Sequence, residues 1–463
     1  MSKKIGGVIA LAAMCALSLF LLNCGSSSSR PSGLLYVLTQ GSNGTGNAVS
    51  SFAIDLNSGN LSLINSNAST CATAGACGLP LDIVLDPTGA AAFVLNQGIP
   101  CVQGGNCVSP CGPSPKPCVS IPPTIYPYKV NSDGSLSAPG TPTVLSRPLS
   151  ASDTQDDADL ALAMARDASG QFLFVINKGT NPPPASCLND PLPTSNFDAC
   201  PSISVFTISG TSLTLAGGSA LHPGNPLHLS RIPNALSAVT VSSPSEELLF
   251  VTSNKDLSSN HNDNTLSVYG VGSDGTLTEK IGSPYATPTI NPSSVQAVNT
   301  NVAPQNNNGG VFVYVGAAGN ASGALDAFQV CTVVVGGVCN QADLDNATLL
   351  PVGTSPTSTG QNPVGIVVDP TNSFLYVVCE GSSQVFGYRI FSTTGVLTAQ
   401  NPASLQTGSL PVALAIHSSG KFLYTSNSGS SNISAFTLST TSGSMNSLST
   451  VTSPPGPSGM AAR

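Results

Sequence analysis

The chain has no tryptophan, four histidines and only 14 lysines and arginines in 463 residues. Charged residues make up 8% of it. A long solvated helix or a coiled coil needs Glu, Lys and Arg along its outer face, so neither can be a main element. A basic surface for nucleic acid is excluded on similar grounds, since the formal net charge is −8. No phosphate-binding Gly-Lys-Ser/Thr loop, His-Glu-x-x-His helix or Gly-x-Ser-x-Gly elbow occurs. Hydrophobic residues are nonetheless 40%, which excludes a disordered polymer. What is abundant is turn chemistry. The 46 glycines and 37 prolines, spread among Ser, Thr and Asn, describe many short strands joined by many turns.

Residues 1–23 read as an export signal: Lys3 and Lys4 precede an apolar run from Val8 to Leu22. The segment Leu21-Leu22-Asn23-Cys24 resembles a bacterial lipobox, which would make Cys24 the lipidated first residue and 24–32 a Ser-rich tether. The expected place is then the cell envelope of a bacterium, periplasmic or cell-surface, with the membrane reached by lipid only. Of 13 cysteines, ten fall in loops at short spacings: Cys71 and Cys77, Cys101 and Cys107, Cys111 and Cys118, Cys187 and Cys200, Cys331 and Cys339. In an exported chain these read as disulfides, with three connectivities open within the Cys101 to Cys118 group. No His stands at zinc-ligand spacing beside them. Cys379, inside an apolar strand, reads as a buried small hydrophobe.

One motif recurs seven times: two apolar residues, an aromatic, then usually Val. Its copies are Leu34 to Val37, Ala91 to Val94, Phe172 to Val175, Leu248 to Val251, Phe312 to Val315, Phe374 to Val377 and Phe422 to Thr425. Runs this short, apolar and bounded by turns fit strands buried on both faces. Upstream of the copies after the first lie another short strand and a turn, of which Asp86-Pro87-Thr88-Gly89 is the clearest. Downstream come an alternating strand, such as Val385 to Ile390, and a short last strand. Four antiparallel strands per unit make a propeller blade. The spacing, about 62 residues per copy, exceeds the ~40–50 of common blades. The excess is assigned to loops at 98–123, 180–201, 253–264 and 300–310. The N-terminus begins at a second-strand motif, and Pro457 to Ala461 matches a first strand. The last residues should therefore close the ring by joining the first blade. The expected fold is a single all-β, seven-bladed propeller over 33–463.

The segments Pro363 to Gly381 and Pro411 to Gly429 share the pattern Pro-x-x-apolar-apolar-x-Asp/His-x-x-Gly/Asn-x-Phe-Leu-Tyr. In this the chain resembles the lactonase-type seven-bladed propellers, and more loosely the repeats named for Tyr-Val-Thr-Asn. The resemblance implies a lactone hydrolase of the 6-phosphogluconolactonase kind, with a general base for water and cations for the oxyanion. It also implies His and Arg where the chain enters the inner strands. Here those lead-ins read Pro80-Leu81-Asp82, Asp159-Leu160-Ala161, Asn234-Ala235-Leu236, Ser293-Ser294-Val295, Pro363-Val364-Gly365 and Pro411-Val412-Ala413, with neither residue.

Catalytic candidates must therefore come from elsewhere on the face that holds the lead-ins, the top. Lys178 and Glu380 follow second strands, while His222, His228 and Arg231 precede the fourth inner strand. No pair among these five is expected to meet across the channel. His417 belongs to a turn on the opposite face, and His261 to the 253–264 loop. Asp156, Asp157 and Asp159 with Asp263 are the candidate oxygen ligands for a Ca²⁺ ion, the one cofactor considered. The functional expectation is a monomeric binding or scaffold propeller whose top face meets an unknown protein or carbohydrate partner, with lactone hydrolysis as the alternative.

Overall fold

The computed structural model describes residues 33–41, 46–71, 78–98, 123–145, 161–178, 201–216, 226–242, 245–256, 262–301, 309–319, 322–331, 347–353 and 356–463, with short strand pieces at 218–219, 222–223, 333–335 and 338–340. All regular structure among these residues is β-strand. Seven antiparallel sheets, each built on a path of four strands, form the blades of a propeller. In blade 6 the strands run in order Pro363–Val368, Phe374–Cys379, Gln384–Ile390 and Leu397–Gln406. The other inner strands are Pro80–Leu85, Ala161–Arg166, Arg231–Ser242, Pro292–Asn299 and Pro411–Ile416 in blades 2, 3, 4, 5 and 7. Blade 1 takes its inner strand from the other end of the chain. Pro457–Ala462 pairs with Leu34–Thr39, in the register Tyr36↔Ala461 and Val37↔Met460. Leu34 and Arg463 exchange two backbone hydrogen bonds of 2.9 Å at the seam. The ring closure read from the mismatched ends is thus observed.

The hydrophobic core is divided into seven clusters, one in each seam between neighbouring blades. The recurring motif feeds two seams at once because alternate side chains of a strand point to opposite faces. Leu34 and Tyr36 pack with Ile83, Ala92 and Val94 of blade 2. Leu35 and Val37 pack with Phe422 and Tyr424 of blade 7. All six residues of Leu34–Thr39, Ala91–Asn96, Phe172–Asn177, Phe374–Cys379 and Phe422–Asn427 are buried.

Turns on the bottom face follow the expected chemistry. Asp369 accepts hydrogen bonds from the backbone N–H groups of Thr371, Ser373 and Phe374 at 3.0, 2.8 and 2.7 Å. His417 occupies the equivalent place in blade 7, where Nδ1 accepts from the Ser419 N–H at 3.1 Å. That histidine is a turn residue, as its sequence position suggested.

Two loop assignments change. Part of 253–264 is strand: blade 4 extends to Asp256 and resumes at Asn262, with Lys255 opposite Asn262. Blade 5 carries a further insertion between Cys331 and Thr348, containing the hairpin Val333–Val335 and Val338–Asn340. Cys71 and Cys331 are in the disulfide state and Cys379 is a buried free thiol. No complete disulfide pair lies among the described residues. Cys77, Cys101, Cys107, Cys111, Cys118, Cys187 and Cys200 lie outside them, as does the side chain of Cys339. Cys24, the tether and the export segment also lie outside them.

Candidate functional site

The seven inner strands enclose a central cavity of about 420 Å³. Each of them carries one extra residue close to its start, set against the second strand as a β-bulge. In blade 2, for example, Pro80 faces Asn96 and Asp82 faces Leu95, which leaves Leu81 without an opposite number. The same shift follows Ala161, Pro233, Pro292, Pro363 and Pro411, and blade 1 repeats it after Pro457. Proline suits this place because the first residue of an edge strand need not donate to the ladder. A bulge re-aims side chains, and here it does so seven times around one mouth.

The bulged residues are apolar in four blades, as Leu81, Leu162, Val364 and Val412. In the other three they are polar and already engaged. Asn234 Nδ2 donates to the Pro292 carbonyl at 2.8 Å, Ser293 Oγ to the Pro363 carbonyl, and Ser458 Oγ to the Pro80 carbonyl at 2.9 Å. These bonds sew each lead-in to the next blade. One position deeper the residues are small in six blades, among them Ala163, Gly365, Ala413 and Gly459. The exception is Asp82, the one ionisable side chain among the described residues that line the cavity.

Asp82 bridges two blades. Its Oδ1 accepts from the Ile83 N–H at 2.8 Å and its Oδ2 from the Met164 N–H of blade 3 at 3.0 Å. Inner strands have a free edge toward the channel, and the carboxylate satisfies an N–H on each of two such edges. The group borders the channel and is half-buried there. Burial therefore pushes its pKa up to about 6, against the opposing pull of the Met164 and Ile83 amides. A second raised carboxylate, Glu247, lies at the bottom of blade 4, where burial lifts it to about 7 and the Thr240 hydroxyl, at 2.5 Å, opposes the rise.

The described residues among those singled out from the sequence do not line this cavity. His228 belongs to the short strand Leu227–His228, which pairs with Ser202–Ile203, the third strand of blade 3 counted from the channel. That places it in the fourth position, three strand spacings or about 14 Å outward of the inner strand. His222 lies in the short pair Gly218–Ser219 and His222–Pro223. Arg231 opens the extended inner strand of blade 4. Its Nε contacts Asp263 Oδ2 at 2.5 Å, and Nη2 lies 3.9 Å from Asp256. Glu380 is tied to the lead-in of its own blade: Asn362 Nδ2 donates to Oε2 at 2.5 Å, and the Glu380 N–H donates back to the Asn362 carbonyl at 2.9 Å. Lys178 directly follows the second strand of blade 3, half-buried. Asp263 is thus engaged by a cation. Asp156, Asp157 and Asp159 lie outside the described residues, as does His261. Among the described residues no cluster of three or more acids, histidines or cysteines is placed to hold a metal. The asparagines that end second strands serve the backbone and neighbouring hydroxyls: Asn96 Nδ2 reaches the Thr70 carbonyl at 3.0 Å, and Asn427 Nδ2 reaches Ser434 Oγ at 2.9 Å.

Residues 338–461 match the family described as Lactonase, 7-bladed beta-propeller. No curated relative matches the chain. Similar solved structures include a candidate 6-phosphogluconolactonase from Bacteroides fragilis, 14% identical, with a TM-score of 0.57 over 95% of this chain and 99% of that one. A second candidate 6-phosphogluconolactonase, from Bacteroides uniformis, is 13% identical, with a TM-score of 0.58 over 93% and 99%. The periplasmic gluconolactonase of Pseudomonas aeruginosa is 16% identical, with a TM-score of 0.55 over 93% and 99%. At such identities the likeness is one of fold. The described chain is a seven-bladed β-propeller, and within it residues 338–461 match the lactonase propeller family.

Proposed function

We propose that the protein is a binding module that engages a protein or carbohydrate partner at its top face, through the mouth of the central channel, without opening lactones. The observation that carries this reading is the near-neutrality of the cavity wall, where Asp82 alone among the described lining residues is ionisable. Lactone opening needs a base together with a donor prepared for the oxyanion, and cations for an acidic substrate. The described lining offers the first and no cation for the second. An array of glycans and small ligands tests the reading. Wild-type protein should retain a ligand that Val412→Trp, which plugs the mouth, releases. Retention by the plugged variant would place recognition elsewhere.

Lactone hydrolysis is the second reading. It is supported by the family match, by the neighbours named as lactonases, and by Asp82, a carboxylate raised toward neutral pH and so suited to take a proton from water. Export and lipid anchoring through Cys24 are proposed from the charged start, the apolar run and the lipobox-like segment. The periplasmic neighbour is consistent with a site of action outside the cytoplasm. Mass analysis of the N-terminal peptide tests this: a diacylated Cys24 is expected, and an unmodified Met1 or Cys24 would refute the anchor.

A further inference from the structure

We propose that the central channel is a receptor site for a primary ammonium ion carried on a short apolar body, with the Asp82 carboxylate as its anchor. This rests on the reading of the channel as a binding site and names the ligand chemistry that site would take. Three observations support it. The cavity, about 420 Å³, falls in the range of small-molecule sites. Its described wall carries one formal charge, which is negative, and no lining cation there neutralises it. Both Asp82 oxygens accept a single backbone N–H, which leaves acceptor capacity on each.

A half-buried carboxylate held by two amides gains most from a charge-assisted donor, and an ammonium supplies three N–H groups. The same charge repels phosphorylated or carboxylated ligands. The rest of the wall suits an alkyl chain: Leu81 and Leu162 flank the acid at the mouth. The small residues Gly365, Ala413 and Gly459 on other blades keep space open at its level. Among the described residues no aromatic lines the cavity, so a methylated ammonium lacks the ring faces it would require, and a primary amine is the better fit.

Calorimetric titration of the purified mature protein with hexylammonium and with hexan-1-ol, at pH 7.5, tests the proposal. Hexylammonium should bind at least about ten-fold more tightly than the alcohol, the scale of a charge-assisted hydrogen bond. Asp82→Asn should erase that preference. Leu162→Lys should erase it too, by placing a built-in ammonium beside the acid, and it decides the matter if the Asn variant does not fold. Equal binding of amine and alcohol by wild type would overturn the ammonium site while leaving a binding channel intact. Hexylammonium binding that persists in both variants would overturn it as well. Absence of binding by either compound, together with a silent ligand array, would overturn the channel-binding reading itself.

Discussion

At the scale of single residues, the seams between blades are held by a pairing that spans the chain. The motif aromatic is Tyr in blades 1, 5, 6 and 7 and Phe in blades 2, 3 and 4. Each tyrosine hydroxyl donates to a glycine carbonyl in a turn of the next blade: Tyr36 to Gly134, Tyr314 to Gly395, Tyr376 to Gly443 and Tyr424 to Gly59, at 2.8 to 2.9 Å. Gly443 must be glycine twice over. Its φ is +75°, and a Cβ there would collide with the Phe374 ring. Removing one hydroxyl leaves a buried carbonyl without its partner. Tyr376→Phe should therefore cost about 1–3 kcal/mol, read as a lower denaturant midpoint with an unchanged slope. A midpoint equal to wild type would show that the carbonyl finds another donor.

Burial raises the pKa of three described carboxylates, Asp82, Glu247 and Asp326, and so makes stability depend on pH; Asp82 and Glu247 carry the larger shifts. Asp82 titrates near 6 in the folded protein against an ordinary 3.8, and Glu247 near 7 against an ordinary 4.5. Each therefore holds in the native state a proton that the unfolded chain releases. Their contribution is full below about pH 4 and is lost as pH rises to about 7. For Asp82 the scale is on the order of 2–3 kcal/mol, and for the partly solvated Glu247 it is smaller. The melting temperature should fall between pH 4.5 and 7.5. The double variant Asp82→Asn, Glu247→Gln should flatten that slope; an equally steep slope would assign it to other groups.

Among elements, the closing strand matters most. Pro457–Ala462 is the inner strand of blade 1, and Met460 and Ala461 pack into the seams on its two sides. Deleting 457–463 exposes the ladder of Leu34–Thr39 and should remove several kcal/mol of a total of ~5–15. A deletion variant that melts with the wild type would mean the ring does not need this strand. Cysteine placement gives a second test at this scale. Burial pushes the Cys379 thiol up to about 11, so alkylation of it should require unfolding. Mass analysis with and without reduction should count five disulfides from the ten loop cysteines. Ten free loop thiols in protein taken from the envelope would contradict that.

For the whole molecule, the blades were legible because the motif is local and apolar: strands such as Phe374–Cys379 announce burial on both faces. The ends were legible because Pro457-Ser458-Gly459 repeats the lead-in of Pro411-Val412-Ala413. The strand extension at 254–256 was hidden because its Asn, Lys and Asp read as loop. The tyrosine pairs were hidden because Tyr36 and Gly134 are 98 residues apart. Asp82 stands among the lead-ins, where the resemblance implies His and Arg instead. Comparing the positions just after the bulge in all seven blades would have marked it, since the other six are small.

The channel's near-neutrality can be examined by one measurement: continuous hydrolysis of a panel of neutral and acidic lactones by wild-type protein and Asp82→Asn side by side. Both should run at the rate of buffer alone, because a base without a cationic partner for the oxyanion does not stabilise the developing charge. Turnover of any lactone by wild type that disappears in Asp82→Asn, with the fold of the variant intact, would contradict a channel built for binding alone.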